Sequence, residues 1–261
     1  MRQEAFVGFV LGMIRQRQLD HESLDTERWW HSILFVDPDH RGRCLGTALL
    51  QRVIDFVDAH DREVELASNY TPYYVFPGPD VDRHADAIEL LSATGFKSVN
   101  RPVAMDGEFR ESAIETDLPE REARFGGRNI TVEEIAPRHV PGLLSMLRRE
   151  FSPDWVRAAR THLRTESWEE VLVAMHAGQV VGWCQWGTIE PGRFGPYGVA
   201  ETSEVGIVAV LFHRCLQRMR EREIRTAGLQ WTGLGGATAL VYRLMGFETT
   251  RQLQIMEYQI P

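Results

Sequence analysis

The residues with the most to say about chemistry are Arg41-Gly42-Arg43-Cys44-Leu45-Gly46-Thr47. They stand between an apolar run, Ile33 to Val36, and apolar positions Ala48, Leu49, Val53, Ile54, Phe56 and Val57 that recur at helical spacing. Pro38 stops the strand, so the backbone N–H groups from Gly42 to Thr47 open a helix. Such amides have no partner within the helix and lie at the positive end of its dipole, so they stabilise an anion. Arg41 and Arg43 strengthen the attraction, and Gly46 lets the backbone come close to a ligand as bulky as a diphosphate. From the glycines alone, an ordinary strand-turn-helix with solvated arginines is an equal reading.

The elements that must position this turn can be followed along the chain. Ala5 to Ile14 reads as a strand that returns through a polar loop to a second strand, Trp30 to Val36. A helix from Leu45 to His60 and a strand from Glu63 to Ala67 complete a strand, helix, strand crossover. Asn69 to Asp80 is an aromatic, proline-rich insertion that either walls a ligand site or caps the core with its rings. Ala85 to Thr94 is a helix ended by Gly95, and Phe96 to Met105 returns as a strand.

Ile130 then starts the pattern again. A strand to Ile135 is followed by a helix from Pro137 to Glu150 and another from Ser152 to about Leu163. Val171–Met175 and Val180–Trp186 form a hairpin around Ala177-Gly178. Phe194 to Val199 leads through Ser203-Glu204-Val205-Gly206-Ile207-Val208 into a helix ending near Arg222, and then Ile224–Trp231, Gly235–Met245 and a final strand or hairpin, Phe247–Tyr258. The layout is a divergent internal duplication. It predicts a partial module over 1–105, a linker over 106–128 and a complete module over 129–261.

Composition narrows the function classes. A net charge of −8 argues against a general nucleic-acid surface and fits a cationic or amine substrate. Three widely spaced cysteines, Cys44, Cys184 and Cys215, suggest neither a disulfide framework nor a metal site. No apolar run approaches a membrane span and Met1 opens no signal-peptide pattern, so no membrane partner and a reducing cytoplasm are expected. No Gly-x-x-x-x-Gly-Lys-Ser/Thr element supports nucleotide hydrolysis.

Val36-x-Pro38-x-x-Arg41-Gly42-x-x-x-Gly46-x-x-Leu49-Leu50 resembles the acetyl-coenzyme A loop of the GNAT N-acetyltransferase superfamily. Cys44 stands where that family's first glycine is expected; its N–H remains available, but its Cβ crowds the ligand wherever the glycine needs φ > 0. A second family motif, Tyr-x-x-x-Gly-Phe, stands at Tyr242 to Phe247, while the first copy reads Leu91 to Phe96 and lacks the hydroxyl.

The resemblance implies an α/β fold of two tandem GNAT-like modules, each a mixed, mostly antiparallel sheet flanked by helices, the first without its opening strand and helices. It implies acetyl-coenzyme A as cosubstrate, a small-molecule primary amine as acceptor and no metal. Coenzyme contacts would come from Val36, Arg41, Gly42, Arg43, Cys44, Leu45, Gly46 and Thr47 in one copy and Val199, Ser203, Val205, Gly206, Ile207 and Val208 in the other. In that second loop Ser203 takes the place of Arg41 and Val208 that of Gly46, so the loop is poorer. The amine would attack the thioester directly, with a strand N–H near Val36 or Val199 holding the oxyanion. Tyr242 would protonate the thiolate. Glu190, Glu201, His31 or a water relay would take the amine's proton. The uncovered sheet face of the first module would pack on the second module or on another copy. The rival expectation is a non-catalytic scaffold or sensor with degenerate modules that binds acetyl-coenzyme A, or nothing.

Overall fold

The computed structural model describes residues 6–18, 26–60, 63–67, 77–108, 130–165, 167–188, 190–201, 207–233 and 237–260. The chain divides into two compact units, one formed by residues 1–18, 23–103 and 251–261 and the other by 19–22 and 104–250.

In the first unit β1 (Gly8–Ile14) and β2 (Arg28–Val36) form an antiparallel hairpin. A 3-10 turn, Pro38–His40, leads to α1 (Leu45–Asp58), and β3 (Val64–Ala67) returns parallel to β2. α1 buries Leu50, Val53, Ile54 and Val57 at i, i+3, i+4, i+7; of the expected apolar positions Val53, Ile54 and Val57 are buried, Leu49 is half-buried, and Ala48 and Phe56 are exposed. α2 (Ala85–Ala93) ends where Gly95 takes a φ of 105°, followed by β4 (Lys97–Asn100).

One continuous strand from Phe96 to Met105 does not form. β4 stops at Asn100, whose side-chain carbonyl accepts the N–H of Arg101, and β5 (Pro102–Glu108) joins a different sheet. Pro102 offers no N–H, so the ladder cannot run on through it.

The second unit opens with β6 (Ile130–Glu134), then α3 (Val140–Glu150) and α4 (Pro153–Arg164). β7 (Val171–His176), β8 (Gln179–Trp186) and β9 (Phe194–Val199) complete an antiparallel four-stranded sheet in the order β6-β7-β8-β9. Ala177 and Gly178 both have positive φ, as a two-residue hairpin turn requires. α5 (Ile207–Glu221), β10 (Thr226–Gly233), α6 (Ala237–Leu244), β11 (Phe247–Gln252) and β12 (Ile255–Gln259) finish the chain.

The last strands are exchanged. β12 lies between β3 and β4 in a five-stranded sheet ordered β1-β2-β3-β12-β4, with Met256 opposite Ala67 and Ser98. β5, from the first half of the sequence, lies between β10 and β11. The expected final hairpin is therefore two strands in two sheets. Met256 is 1% exposed in a core with Leu50, Ala67, Leu91 and Phe96, so the C-terminal strand supplies part of the first unit's interior. Of the linker expected over 106–128, Asp106–Glu108 belong to β5 and the rest lies outside the described residues.

α1 covers one face of the β1–β2 hairpin, where Val10 and Ile14 pack with Trp29, Val53 and Val57. On the alternate positions Phe9, Leu11 and Phe35 are exposed, with Phe9 and Phe35 paired across the strands. No helix among the described residues is long and apolar enough to cross a membrane.

Candidate active site

Two structural devices in the first unit make a cleft. The first is a fork. Among the described residues, β2 and β3 pair in parallel from Arg28 opposite Val64 to His31 opposite Ala67. Just beyond, Ser32 is the extra residue of a bulge on β2: Leu11 faces Ile33 and Gly12 faces His31. A bulge bends its strand and disrupts the ladder, and among the described residues no β2–β3 pair follows His31 and Ala67. The fork opens a cavity of about 430 Å³ lined by His31, Ser32, Leu34, Asp80, His84 and Leu91 among others.

The second device is the glycine turn. Asp37 accepts the N–H of Asp39 at 2.9 Å and lies 3.1 Å from Nδ1 of His40, contacts that hold its carboxyl below the ordinary range, the ring bond contributing most. The turn so fixed delivers Arg41, whose Nε donates to the carbonyl of Val36 at 3.1 Å. Gly42 has a φ of 71° and Cys44 a φ of 59°. The first bond inside α1 runs from the N–H of Ala48 to the carbonyl of Cys44, so the N–H groups of Leu45, Gly46 and Thr47 have no acceptor within the helix. A Cβ on Gly46 would stand 2.8 Å from a methyl of Leu90, so glycine is what lets α1 and α2 approach here. These residues line a cavity of about 460 Å³ that includes Val36, Arg41, Gly42, Cys44, Leu45, Gly46, Thr47 and the first turn of α2.

The two cavities share Leu34, Arg83, His84 and Ala87, so they run on from each other along α2. The sequence-derived residues Val36, Arg41, Gly42, Cys44, Leu45, Gly46 and Thr47 come together. Arg43 does not join them: it is exposed and bonds the carbonyl of Asp39. Three residues went unnoticed in the sequence. His84, the N-cap of α2, accepts the N–H of Asp80 on Nδ1 at 3.0 Å. Arg83 precedes it, and Arg251 arrives with the exchanged C-terminal segment. That segment is tied to the cavity wall by Val81 N–H to the Gln252 carbonyl at 2.8 Å and Gln254 N–H to the Pro79 carbonyl at 2.9 Å.

The second unit is built differently at the corresponding place. β9 and β10 meet at a single parallel bridge, Arg193 with Gly228. Phe194, Tyr197, Phe212, Tyr242 and Phe247 form one ring cluster, with Tyr242 centred 5.2 Å from Phe212 and 6.1 Å from Phe194. Tyr242 is 6% exposed, and burial pushes its phenol well above the ordinary range, with smaller contributions from Cys184 and Cys215. The Tyr197 hydroxyl donates to the carbonyl of Val208 at 3.0 Å, and Ile207 is buried. Val199 pairs with Gly182 in the sheet. Ser203, Val205 and Gly206 lie outside the described residues.

Of the proposed bases, His31 is 5% exposed and faces the first cavity. Glu190 sits on the surface 3.6 Å from Arg193, and the N–H of Glu201 donates to Glu150. No cluster of metal-binding side chains occurs among the described residues.

Comparison with known proteins agrees with this geometry. Residues 2–71 match the Acetyltransferase (GNAT) family, a span that contains the fork and the glycine turn. No curated protein matches the chain. Among solved structures, the GCN5-related glucosamine N-acetyltransferase region of a fungal multi-domain GH3 β-N-acetylglucosaminidase superposes with a TM-score of 0.79 at 18% identity, covering 97% of this chain. This chain spans 31% of that protein's length. A GCN5-related N-acetyltransferase from Sphaerobacter thermophilus gives 0.63 at 18% identity, covering 89% of this chain and 72% of its own. A tandem GNAT protein from the clavulanic acid biosynthesis pathway gives 0.63 at 16% identity, covering 90% and 76%. The chain therefore carries the GNAT acetyltransferase fold over nearly its whole length, with residues 2–71 matching the family in sequence as well.

Proposed function

We propose that the chain is an acetyl-coenzyme A-dependent N-acetyltransferase for a small primary amine, and that the coenzyme is held by the first unit. The observation that carries this reading is the continuity of the fork cavity with the glycine turn, all on one strand-turn-helix passage. Unpartnered first-turn amides and Arg41 suit a diphosphate, and Gly46 lines the cavity beside them. An extended arm fits beside β2 past His31, where no pairing with β3 is present among the described residues.

When bound, the coenzyme would supply an activated acetyl thioester. The chain's part is to orient it, to set a backbone N–H beyond the Ser32 bulge against the developing oxyanion, and to exchange protons with the amine and the thiolate. Leu91 occupies the position where the family motif carries tyrosine, and it lines the same cavity as His31. We assign the proton transfer to His31. The competing assignment, Tyr242 as acid in the second unit, has less support, because its ring is enclosed by aromatic neighbours.

Titration calorimetry with acetyl-coenzyme A, followed by thiol release over a panel of amines, tests the reading. Binding with amine-dependent release supports it. Binding without release on any amine supports the non-catalytic alternative, and no binding refutes the acetyltransferase reading.

A further inference from the structure

We propose that the acceptor amine carries an anionic group, a carboxylate or a phosphate, and that Arg251 binds it. The inference rests on the acetyltransferase reading and concerns the acceptor end of the same cleft. Arg41 and the residues from Gly42 to Thr47 line only the turn cavity, whereas Arg251 lines only the fork cavity, with His31 and Ser32. Arg251 is therefore placed at the reacting end of the passage and away from the diphosphate turn. Its side chain has no ion-pair partner among the described residues.

The other charges in that cavity sharpen the point. Its lining contains two arginines, Arg83 and Arg251, and one acid, Asp80. Asp80 is already committed: Oδ1 accepts the N–H groups of Asp82 at 3.0 Å and Arg83 at 3.1 Å, and Oδ2 stands 4.0 Å from Arg83. Among the described residues lining this cavity, a polyamine would find no uncommitted carboxylate for its second ammonium. An amino acid or a phosphorylated amino sugar would meet a guanidinium whose planar fork matches carboxylate and phosphate oxygens. The local field is thus opposite in sign to the net charge of −8, which by itself favours a cationic acceptor.

The test uses the full chain and matched acceptors: glycine against glycinamide, and glucosamine 6-phosphate against glucosamine. Rates of thiol release give kcat/KM, and calorimetry gives the affinity for acetyl-coenzyme A separately. The anionic member of at least one pair is expected to be preferred, and Arg251→Met should lower its kcat/KM by about tenfold to a hundredfold, the usual effect of losing a charged hydrogen bond. The uncharged member and the coenzyme affinity should hardly change, and Arg251→Lys should recover part of the loss. A preference for the uncharged members, or one that survives Arg251→Met, would overturn the proposal, as would turnover of neither member of any pair. Equal loss of coenzyme affinity in Arg251→Met would place Arg251 on the coenzyme and overturn it too. Failure of the unmutated chain to bind acetyl-coenzyme A would instead remove the acetyltransferase reading itself.

Discussion

The two units build one strand-turn-helix design and put it to different uses. In the first, the strands part after a single-residue bulge and the space beyond is lined by His31, Ser32, His84 and two arginines. In the second, five aromatic rings from β9, α5, α6 and β11 pack together, and the tyrosine that best fits a catalytic motif is in the core. Among the described residues, the unit with the poorer motif is the one that lines a continuous cleft. A hydroxyl at the right spacing is of little use when desolvation raises its pKa and rings surround it.

The largest effect that could break this contrast falls on the exchanged strand. Met256→Asp would bury a carboxylate between β3 and β4, at a cost of at least about 4 kcal/mol. Thermal unfolding should show the first unit lost, and coenzyme binding with it, although the substitution is five residues from the chain's end. Retained binding would mean that β12 is dispensable to the cleft.

The next effect separates the units directly. His31→Gln should lower kcat by roughly a hundredfold with acetyl-coenzyme A affinity preserved, whereas Tyr242→Phe should change kcat by less than about threefold. Steady-state rates on folded variants decide between them, and the opposite ranking would return catalysis to the second unit. The smallest effect concerns Cys44, whose φ of 59° is strained for any residue with a Cβ. Cys44→Gly should raise stability in a denaturant titration by roughly 1 kcal/mol and leave coenzyme binding equal or tighter.

Much of this was legible in the sequence because it is periodic or local. The Val53, Ile54, Val57 stripe and the hairpin at Ala177-Gly178 follow from spacing and turn chemistry. The sequence tied crowding at Cys44 to a positive φ, and the φ there is 59°. What sequence did not show is non-local. No pattern in Ile255–Gln259 says that it will pair with β3 and β4 rather than with β11, since any strand of alternating polarity can take either place. Arg251 lines the cleft near the end of β11, just before the chain passes on to β12, a placement that no local pattern announces. His84 escaped notice because a histidine at a helix start has no spacing signature, and the burial of Tyr242 was not legible because a motif gives residue type without depth.

The most direct test of the central claim is titration of acetyl-coenzyme A into the intact chain and into Gly46→Val, which gives the first turn the residue found at Val208 in the second. A Cβ at Gly46 would already stand 2.8 Å from Leu90, and valine adds two methyls. One coenzyme per intact chain and an affinity at least about a hundredfold weaker in the folded variant is the predicted result. Undiminished binding to Gly46→Val would place the coenzyme elsewhere and contradict the account.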